Sequence, residues 1–339
     1  MIADSFKELT GDRRLRWTVT GAAGFIGSHL AETLVELGQS VIGLDDLSTG
    51  SMRNVTAVES AAAISKHGEF RFMEGSIESS EVCAEAVRDT NIVLHQAALG
   101  SIPRSIADPV NTHSVNAGGT LNMLVAARNA GVGRFVYASS SSVYGDDTAL
   151  PKQEDLTGWP LAPYASTKRA CEFYARNCSD HYGLETIGLR YFNVFGPRQD
   201  PNGAYAAVVP KWISQIASAE SITINGDGET SRDFCYVANV IQANLRAALA
   251  ESYDAAVSVF NVANGERTTL NQLYRYIALL HSEFSDEGVK EPTYAPHRMG
   301  DVRHSQADIS RAVKELGYSP THDVLTGLRE TVAWFRSQG

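Results

Sequence analysis

Tyr164 and Lys168, in the run YASTK, and the four serines at 139–142, in the run VYASSSSVYG, are the residues of this chain best suited to proton chemistry. Tyr164 and Lys168 are one helical turn apart, so on a helix they share a face. A phenol in water loses its proton near pH ~10. A neighbouring ammonium favours the phenolate. Tyr164 is then a credible general base near neutral pH. A lone Tyr…Lys pair at this spacing is common, so the reading depends on its surroundings. The serines are flanked on both sides by apolar and aromatic residues, which argues against a flexible linker. At a strand end, a serine hydroxyl can bind a substrate hydroxyl and help relay its proton to Tyr164. Which of Ser140, Ser141 and Ser142 dominates stays open.

A second cluster is Thr20-Gly21-Ala22-Ala23-Gly24-Phe25-Ile26-Gly27. By spacing alone it could be a tight turn. It follows an apolar run and opens a helical pattern, however, and the next apolar run ends at Asp45-Asp46. Glycines let the backbone approach a pyrophosphate, and a helix N-terminus offers unbonded N–H groups and a positive dipole end. A carboxylate at Asp45 accepts from a ribose 2′-OH and repels a 2′-phosphate, which favours NAD over NADP.

These residues need a frame, and the apolar pattern supplies one. Strands are expected at 16–20, 40–44, 70–73, 91–95, 134–138 and 185–190, with a last strand at 257–262 returning to the sheet. Helices are expected at 25–37, 110–130 and 163–182. Gly38 suits the C-terminal cap of the first helix. This alternation predicts an α/β, doubly wound parallel sheet. Beyond Tyr191 the chain is rich in Gly, Asn and Pro, and with helical patterns at 270–280 and 325–335 it forms a second, smaller, mostly helical lobe. The expected division is 1–190 plus about 233–264 for the dinucleotide, and about 191–232 plus 265–339 for the substrate. A cleft between the two is the default ligand site.

Composition narrows the choices. The chain has 339 residues, 43% hydrophobic, enough for a large core. Charged residues make up 20%, which fits neither a disordered chain nor a coiled coil. A formal net charge of −10 argues against nucleic acid. No apolar run approaches the ~18 residues that mark a membrane span, and the N-terminal residues lack an apolar signal-peptide core. Cys83, Cys171, Cys178 and Cys235 form no CxxC pair and read as reduced core thiols of a cytoplasmic protein. Neither metal-ligand spacing nor an internal repeat is visible.

Taken together, TGAAGFIG, HQAAL (95–99), SSSSVYG (139–145), YASTK, RYFNVFGPRQ (190–199) and GDGETSRDF (226–234) resemble the extended short-chain dehydrogenase/reductase family. The resemblance runs from about residue 17 to 335 and is greatest to the UDP-hexose 4-epimerases. It implies a Rossmann-type sheet and a tightly held NAD that is regenerated each turnover. The cofactor-binding residues it implies are Gly21, Gly24, Phe25, Ile26, Gly27, Asp45, Asp46, Ser48, Thr49, Gly50, Ser76, Ile77, Gln96, Ala97, Ala98, Asn116, Tyr164, Lys168 and Tyr191. Its catalytic mapping gives Tyr164 as base, Ser140 bonded to the same substrate oxygen with Ser141 and Ser142 beside it, and Lys168 on the nicotinamide ribose. For the UDP-sugar it implies Asn193, Arg232 and Arg298 near the diphosphate, Ala207, Val208 and Asn225 near uracil, and Gly100, Ser101, Arg104, Asp301 and Ser305 toward the hexose. It further implies a homodimer that pairs the helices at about 110–130 and 163–182 in a four-helix bundle.

Ser305 falls where galactose-type epimerases carry a bulky tyrosine beside the sugar 2-substituent. A small side chain leaves room for an N-acetyl group, so the expected reaction interconverts UDP-GlcNAc and UDP-GalNAc. The corresponding uronic acid and plain UDP-glucose stay open, as does whether Arg104 or Arg303 would serve a C6 carboxylate. Relatives that remove water or CO2 typically carry an acid where Ser141 and Ser142 stand, which counts against a dehydratase or decarboxylase. A net reductase would sit poorly with Asp45, and a non-enzymatic NAD-binding module with the retained Tyr, Lys and Ser. Three departures stand out: Ser76 replaces an aspartate expected to accept from the adenine, Thr18 is polar within an apolar strand, and Asp46 replaces a common asparagine.

Overall fold

The computed structural model describes every residue except 1–5, 8–9, 11–12, 203–205, 251–257, 285–287, 297–301 and 339. Seven strands hydrogen-bond in parallel: β1 (Arg16–Thr20), β2 (Ser40–Asp45), β3 (Glu69–Glu74), β4 (Ile92–His95), β5 (Arg134–Ser140), β6 (Glu185–Tyr191) and β7 (Val259–Val262). Their spatial order is β7-β6-β5-β4-β1-β2-β3. β4 is buried at every residue, and β1 and β6 at all but the first. Such continuous burial is what helices on both faces of a parallel sheet require. Thr18, the polar residue in β1, costs the core little: its hydroxyl donates to the Ala86 carbonyl at 2.7 Å and lies 2.7 Å from Thr90 Oγ1.

Strand order reverses between β1 and β4, so the chains leaving those two strands diverge and open a crevice at their C-terminal ends. Gly21 follows β1 and Gln96 follows β4, which puts the two runs singled out above on opposite lips. The first crossover helix is α1 (Phe25–Glu36), one residue shorter than expected. Two more helices, α2 (Met52–Ile64) and α3 (Ser80–Ala86), carry little sequence signal. α2 buries only Val55 and Val58, and α3 is two turns begun by the Ser79 cap, so neither shows a strong apolar stripe.

The pattern at 110–130 is continuous, but the structure divides it. A short helix, Pro109–His113, leads into a π turn at Ser114–Gly118 and then α4 (Gly119–Asn129). The π turn widens the helix where Asn116 spends its side chain on another segment, a common use of such turns. α5 (Pro163–Tyr182) runs its expected length and ends at Gly183 in the left-handed conformation. It carries Tyr164 in its first turn.

After β6 the chain builds helices Val208–Ala217, Leu270–Ser282, Ser310–Leu316 and Val324–Ser337. Three short strand pairs accompany them. Asp233 ties these pieces together. It is fully buried and accepts the amides of Asn264 at 2.9 Å, Gly265 at 3.0 Å and Ala307 at 3.2 Å. All four cysteines are free and buried, as expected of core thiols. Among the described residues, no helix is long and apolar enough to cross a membrane.

Candidate active site

The crevice above β1 and β4 extends under the smaller lobe as a cleft of about 1050 Å³. At one end lies the glycine loop. Gly21 N donates to the Leu44 carbonyl at 2.8 Å and Gly24 N to the Gly21 carbonyl at 3.0 Å, folding the loop tightly onto β2. A Cβ on Gly27 would lie 2.0 Å from the Gly21 carbonyl oxygen, and one on Gly21 2.8 Å from Ala97 N. Gly21 also has φ +68°, a conformation that favours glycine. The first turn of α1 therefore packs directly behind the loop, and its N-terminus, capped by no side chain, faces the cleft. This is a cradle for a pyrophosphate.

Asp45 closes the loop from the side. Its Oδ2 accepts from Ala23 N at 2.9 Å and its Oδ1 from Leu47 N at 2.8 Å. Burial raises its pKa, and those amides oppose the rise. Each carboxylate oxygen keeps a lone pair, so Asp45 can still accept from ribose hydroxyls. Asp46, Ser48, Thr49, Ile77, Gln96, Ala97 and Ala98 continue the same wall. Gln96 is fixed there by Tyr191, whose hydroxyl donates to Gln96 Oε1 at 3.0 Å and accepts from Asn244 Nδ2 at 2.8 Å. The donor set and the glycine cradle fit an NAD-type dinucleotide.

The residues singled out above for proton chemistry come together along the cleft. Lys168 is buried, and its ammonium donates to the Ala138 carbonyl at 2.9 Å. It stands 6.0 Å from the centre of the Tyr164 ring. Ala138 lies in β5 just before the serines, so one hydrogen bond joins the Tyr–Lys turn of α5 to the serine row. The four serines then part ways. Ser139 turns inward and donates to Glu172 at 2.6 Å. Glu172 is itself gripped by Arg190 through two bonds of 2.8 and 2.9 Å, and its carboxyl is held below the usual range by Arg190 against the cost of burial. Ser140 caps a 3-10 turn, Ser141–Tyr144, by accepting from Ser142 N at 3.2 Å. Ser142 Oγ is buried with no hydrogen-bond partner, and Ser140, Ser141 and Ser142 all face the cleft. An orphaned hydroxyl on a cleft wall is a group suited to a ligand.

At the far end, Gly100, Arg104, Asn193, Ala207, Arg232 and Ser305 line the cleft. Asn193 adopts φ 34° and donates to the Asp233 carbonyl at 3.2 Å. Arg232 donates to the Ser231 carbonyl at 2.9 Å. Of the two arginines left open for a C6 carboxylate, Arg104 faces the cleft, whereas Arg303 reaches away to Asp227 at 2.8 Å.

Several expected contacts are not on the cleft wall. Gly50 packs behind Asp45 and Ala23. Ser76 turns back to accept from Glu78 N at 3.2 Å. Ser101 caps the helix Ile102–Ala107. Asn116 is buried beneath the wall and clamps Leu99, accepting from its amide at 2.7 Å. Val208 opens the helix Val208–Ala217, and Asn225 is exposed in a strand pairing with Ala295. Arg298 and Asp301 lie outside the described residues. Conversely, Lys152, Leu161, Gln199 and Val302 line the cleft without having been singled out. Gln199 stands in the quoted RYFNVFGPRQ run and has a buried, unpartnered Oε1, which only the fold reveals. Lys152 is tied to Asp147 at 3.0 Å, and nothing in its sequence surroundings marks it.

Comparison with known proteins agrees with this geometry. Residues 17–263 match the profile of the NAD dependent epimerase/dehydratase family. A UDP-glucose 4-epimerase of Mycolicibacterium smegmatis is 36% identical over 96% of this chain and 99% of its own length. Among solved structures, a UDP-N-acetylglucosamine 4-epimerase from Methanobrevibacter ruminantium, in complex with UDP-N-acetylmuramic acid, superposes with a TM-score of 0.87. It is 37% identical and covers 96% of this chain and 100% of that one. A Thermus thermophilus UDP-glucose 4-epimerase complexed with NAD gives 0.82 at 33% identity, over 96% and 100% of the two chains.

Proposed function

This chain belongs to the NAD dependent epimerase/dehydratase family, as an NAD-dependent UDP-sugar 4-epimerase, and from that premise we propose that its substrates are UDP-GlcNAc and UDP-GalNAc. NAD, when bound, supplies the oxidant and then the reductant at sugar C4. In this reading Tyr164, with the Lys168 ammonium 6.0 Å from its ring centre, takes the 4-OH proton and later returns it. Ser140 holds the same oxygen, and Ser142 offers its unpartnered hydroxyl beside it. The 4-keto sugar then turns about its diphosphate linkage to present its other face. That turn needs room, which Gly100, Ala207 and Ser305 leave. Asn193 and Arg232 anchor the diphosphate, a task for which a guanidinium fork suits well.

The observation that carries the reaction type is the Tyr164–Lys168 turn joined to a serine row without a carboxylate at Ser141 or Ser142. Loss of water or CO2 would call for an acid or base there. Support for the N-acetylated sugar comes from the small Ser305 on the cleft wall. A second reading, the corresponding uronic acid, is favoured by Arg104 at the sugar end. The proposal includes the division into a dinucleotide body, 1–190 plus about 233–264, and a UDP-sugar lobe. It also includes a homodimer formed through the segments at about 110–130 and 163–182. The test is product analysis with UDP-GlcNAc, UDP-GlcNAcA and UDP-glucose separately, with no cofactor added. C4 inversion of UDP-GlcNAc in preference to the other two is expected. Preferential inversion of another sugar would replace the substrate, and dehydrated or decarboxylated products would replace the reaction.

A further inference from the structure

A buried file of hydrogen bonds runs from the glycine loop's strand to the backbone of Tyr164, and its donors all point one way. The direction is fixed at Thr120, whose hydroxyl donates to the Asn116 carbonyl at 2.6 Å. A hydroxyl has one proton, so toward His95 Nε2, 3.0 Å away, Thr120 accepts. The imidazole proton therefore sits on Nε2. Burial first, then the Lys168 ammonium, push the His95 pKa down to about 3, which keeps the ring neutral and Nδ1 bare. Nδ1 must then accept from the Thr20 hydroxyl at 2.8 Å. Thr20 Oγ1 is suited to that role, because its lone pairs already accept the amides of Gln96 at 3.2 Å and Ala97 at 3.1 Å.

Beyond Thr120 the file continues through a side chain. Asn116 Nδ2 donates to Thr167 Oγ1 at 3.1 Å, and Thr167 Oγ1 to the Tyr164 carbonyl at 2.8 Å. Asn116 also bonds both backbone groups of Leu99, at 2.7 and 3.2 Å. One lip of the dinucleotide crevice and the turn that holds Tyr164 are thus tied to the same buried chain.

We propose that His95, as its Nε2–H tautomer, is a positioning residue that sets the 96–99 cleft wall and the Tyr164 turn together. It touches neither substrate nor cofactor. It acts through Thr20, which pins Gln96 and Ala97, and through Thr120 and Asn116, which lead to Tyr164. The tolerance at that wall is small, since Ala97 N already lies 2.8 Å from where a Cβ of Gly21 would stand. An apolar ring in place of His95 would leave the buried Thr20 hydroxyl proton without an acceptor and take one donor from Thr120. The inference holds whichever UDP-sugar the cleft takes.

The test uses the holoenzyme labelled with 15N-histidine. A long-range 15N–1H correlation spectrum, assigned with His95→Phe or His95→Gln, is expected to show His95 as the Nε2–H tautomer throughout pH 5 to 8. An Nδ1–H tautomer or an imidazolium would overturn the proposal. Functionally, His95→Phe and Thr20→Val are each expected to reduce both retained NAD and kcat about tenfold, with the UDP-sugar KM within about twofold. The double variant is expected to lose less than the sum of the two single losses, because the Thr20–His95 link is broken in both. Retention and kcat within about twofold of wild type, or fully additive losses, would overturn it. Should His95→Phe not fold, Thr20→Val keeps the ring and His95→Gln keeps a polar side chain, so the functional arm stands on them.

Discussion

At the residue scale, the chemistry rests on few atoms, and each can be removed alone. Tyr164→Phe deletes one oxygen and leaves the ring that Lys168 faces. Its kcat is expected to fall by roughly 10²–10⁴, the usual worth of a placed general base, with the melting temperature little changed. Stopped assays and thermal melts on the same preparation check both halves, and near-normal turnover would remove Tyr164 from the mechanism. Ser305→Tyr tests the sugar rather than the chemistry. Filling that wall of the cleft is expected to lower kcat/KM for the N-acetylated pair at least about tenfold and to spare UDP-glucose and UDP-galactose. An unchanged ratio between the two substrate pairs would show that Ser305 does not face the 2-substituent.

Between residues and the whole lie the elements, and there the glycine loop makes the sharpest demand. Gly27→Ala would drive a methyl to 2.0 Å from the Gly21 carbonyl, forcing α1 off the loop. The purified variant is expected to lack bound NAD, seen as loss of its absorbance, while keeping its secondary structure by circular dichroism. An unaltered NAD content would mean that the helix end does not hold the pyrophosphate. Much of this architecture was legible in the sequence, because most strands and the longer helices carry a clear apolar pattern. Strands buried on both faces read as short apolar runs, and the Tyr–Lys and glycine runs carried their own spacing. What stayed hidden depends on contacts distant in sequence. Nothing near Asn116 says that its amide is spent on Leu99, 17 residues away. The π turn that makes this possible is invisible in a continuous helical pattern. Ser76 and Ser101 sit beside wall residues but turn into a local turn and a helix cap, a choice made by backbone geometry that residue type does not reveal. Lys152 and Gln199 reach the cleft only because the smaller lobe folds over it.

For the molecule as a whole, surface and pH offer two tests. Phe173 is 57% exposed on α5 and Val110 78% exposed on the helix Pro109–His113, apolar side chains in the helices of the proposed homodimer. Phe173→Asp is expected to shift the protein from dimer to monomer in light scattering. A mass unchanged from a dimeric wild type would place the interface elsewhere. His29 links α1 to the loop at 197, and burial, then the Arg198 charge, push its pKa from 6.5 to about 4. The folded state thus refuses a proton that the unfolded chain accepts between those values. The stability this contributes is complete above pH ~6.5 and is lost as pH falls toward ~4. His29→Gln is expected to flatten the fall of melting temperature with pH across that window, and an identical slope would refute the assignment. The four buried thiols have a consequence of another kind. Cys83, Cys171 and Cys178 serve the face of the sheet packed by α4 and α5, and Cys235 serves the core under the smaller lobe. Burial raises all four pKa values, so the folded protein presents almost no thiolate to a reagent. Their alkylation therefore counts openings. Resolved cysteine by cysteine, it gives the enzyme two clocks of its own, one for each of the two cores.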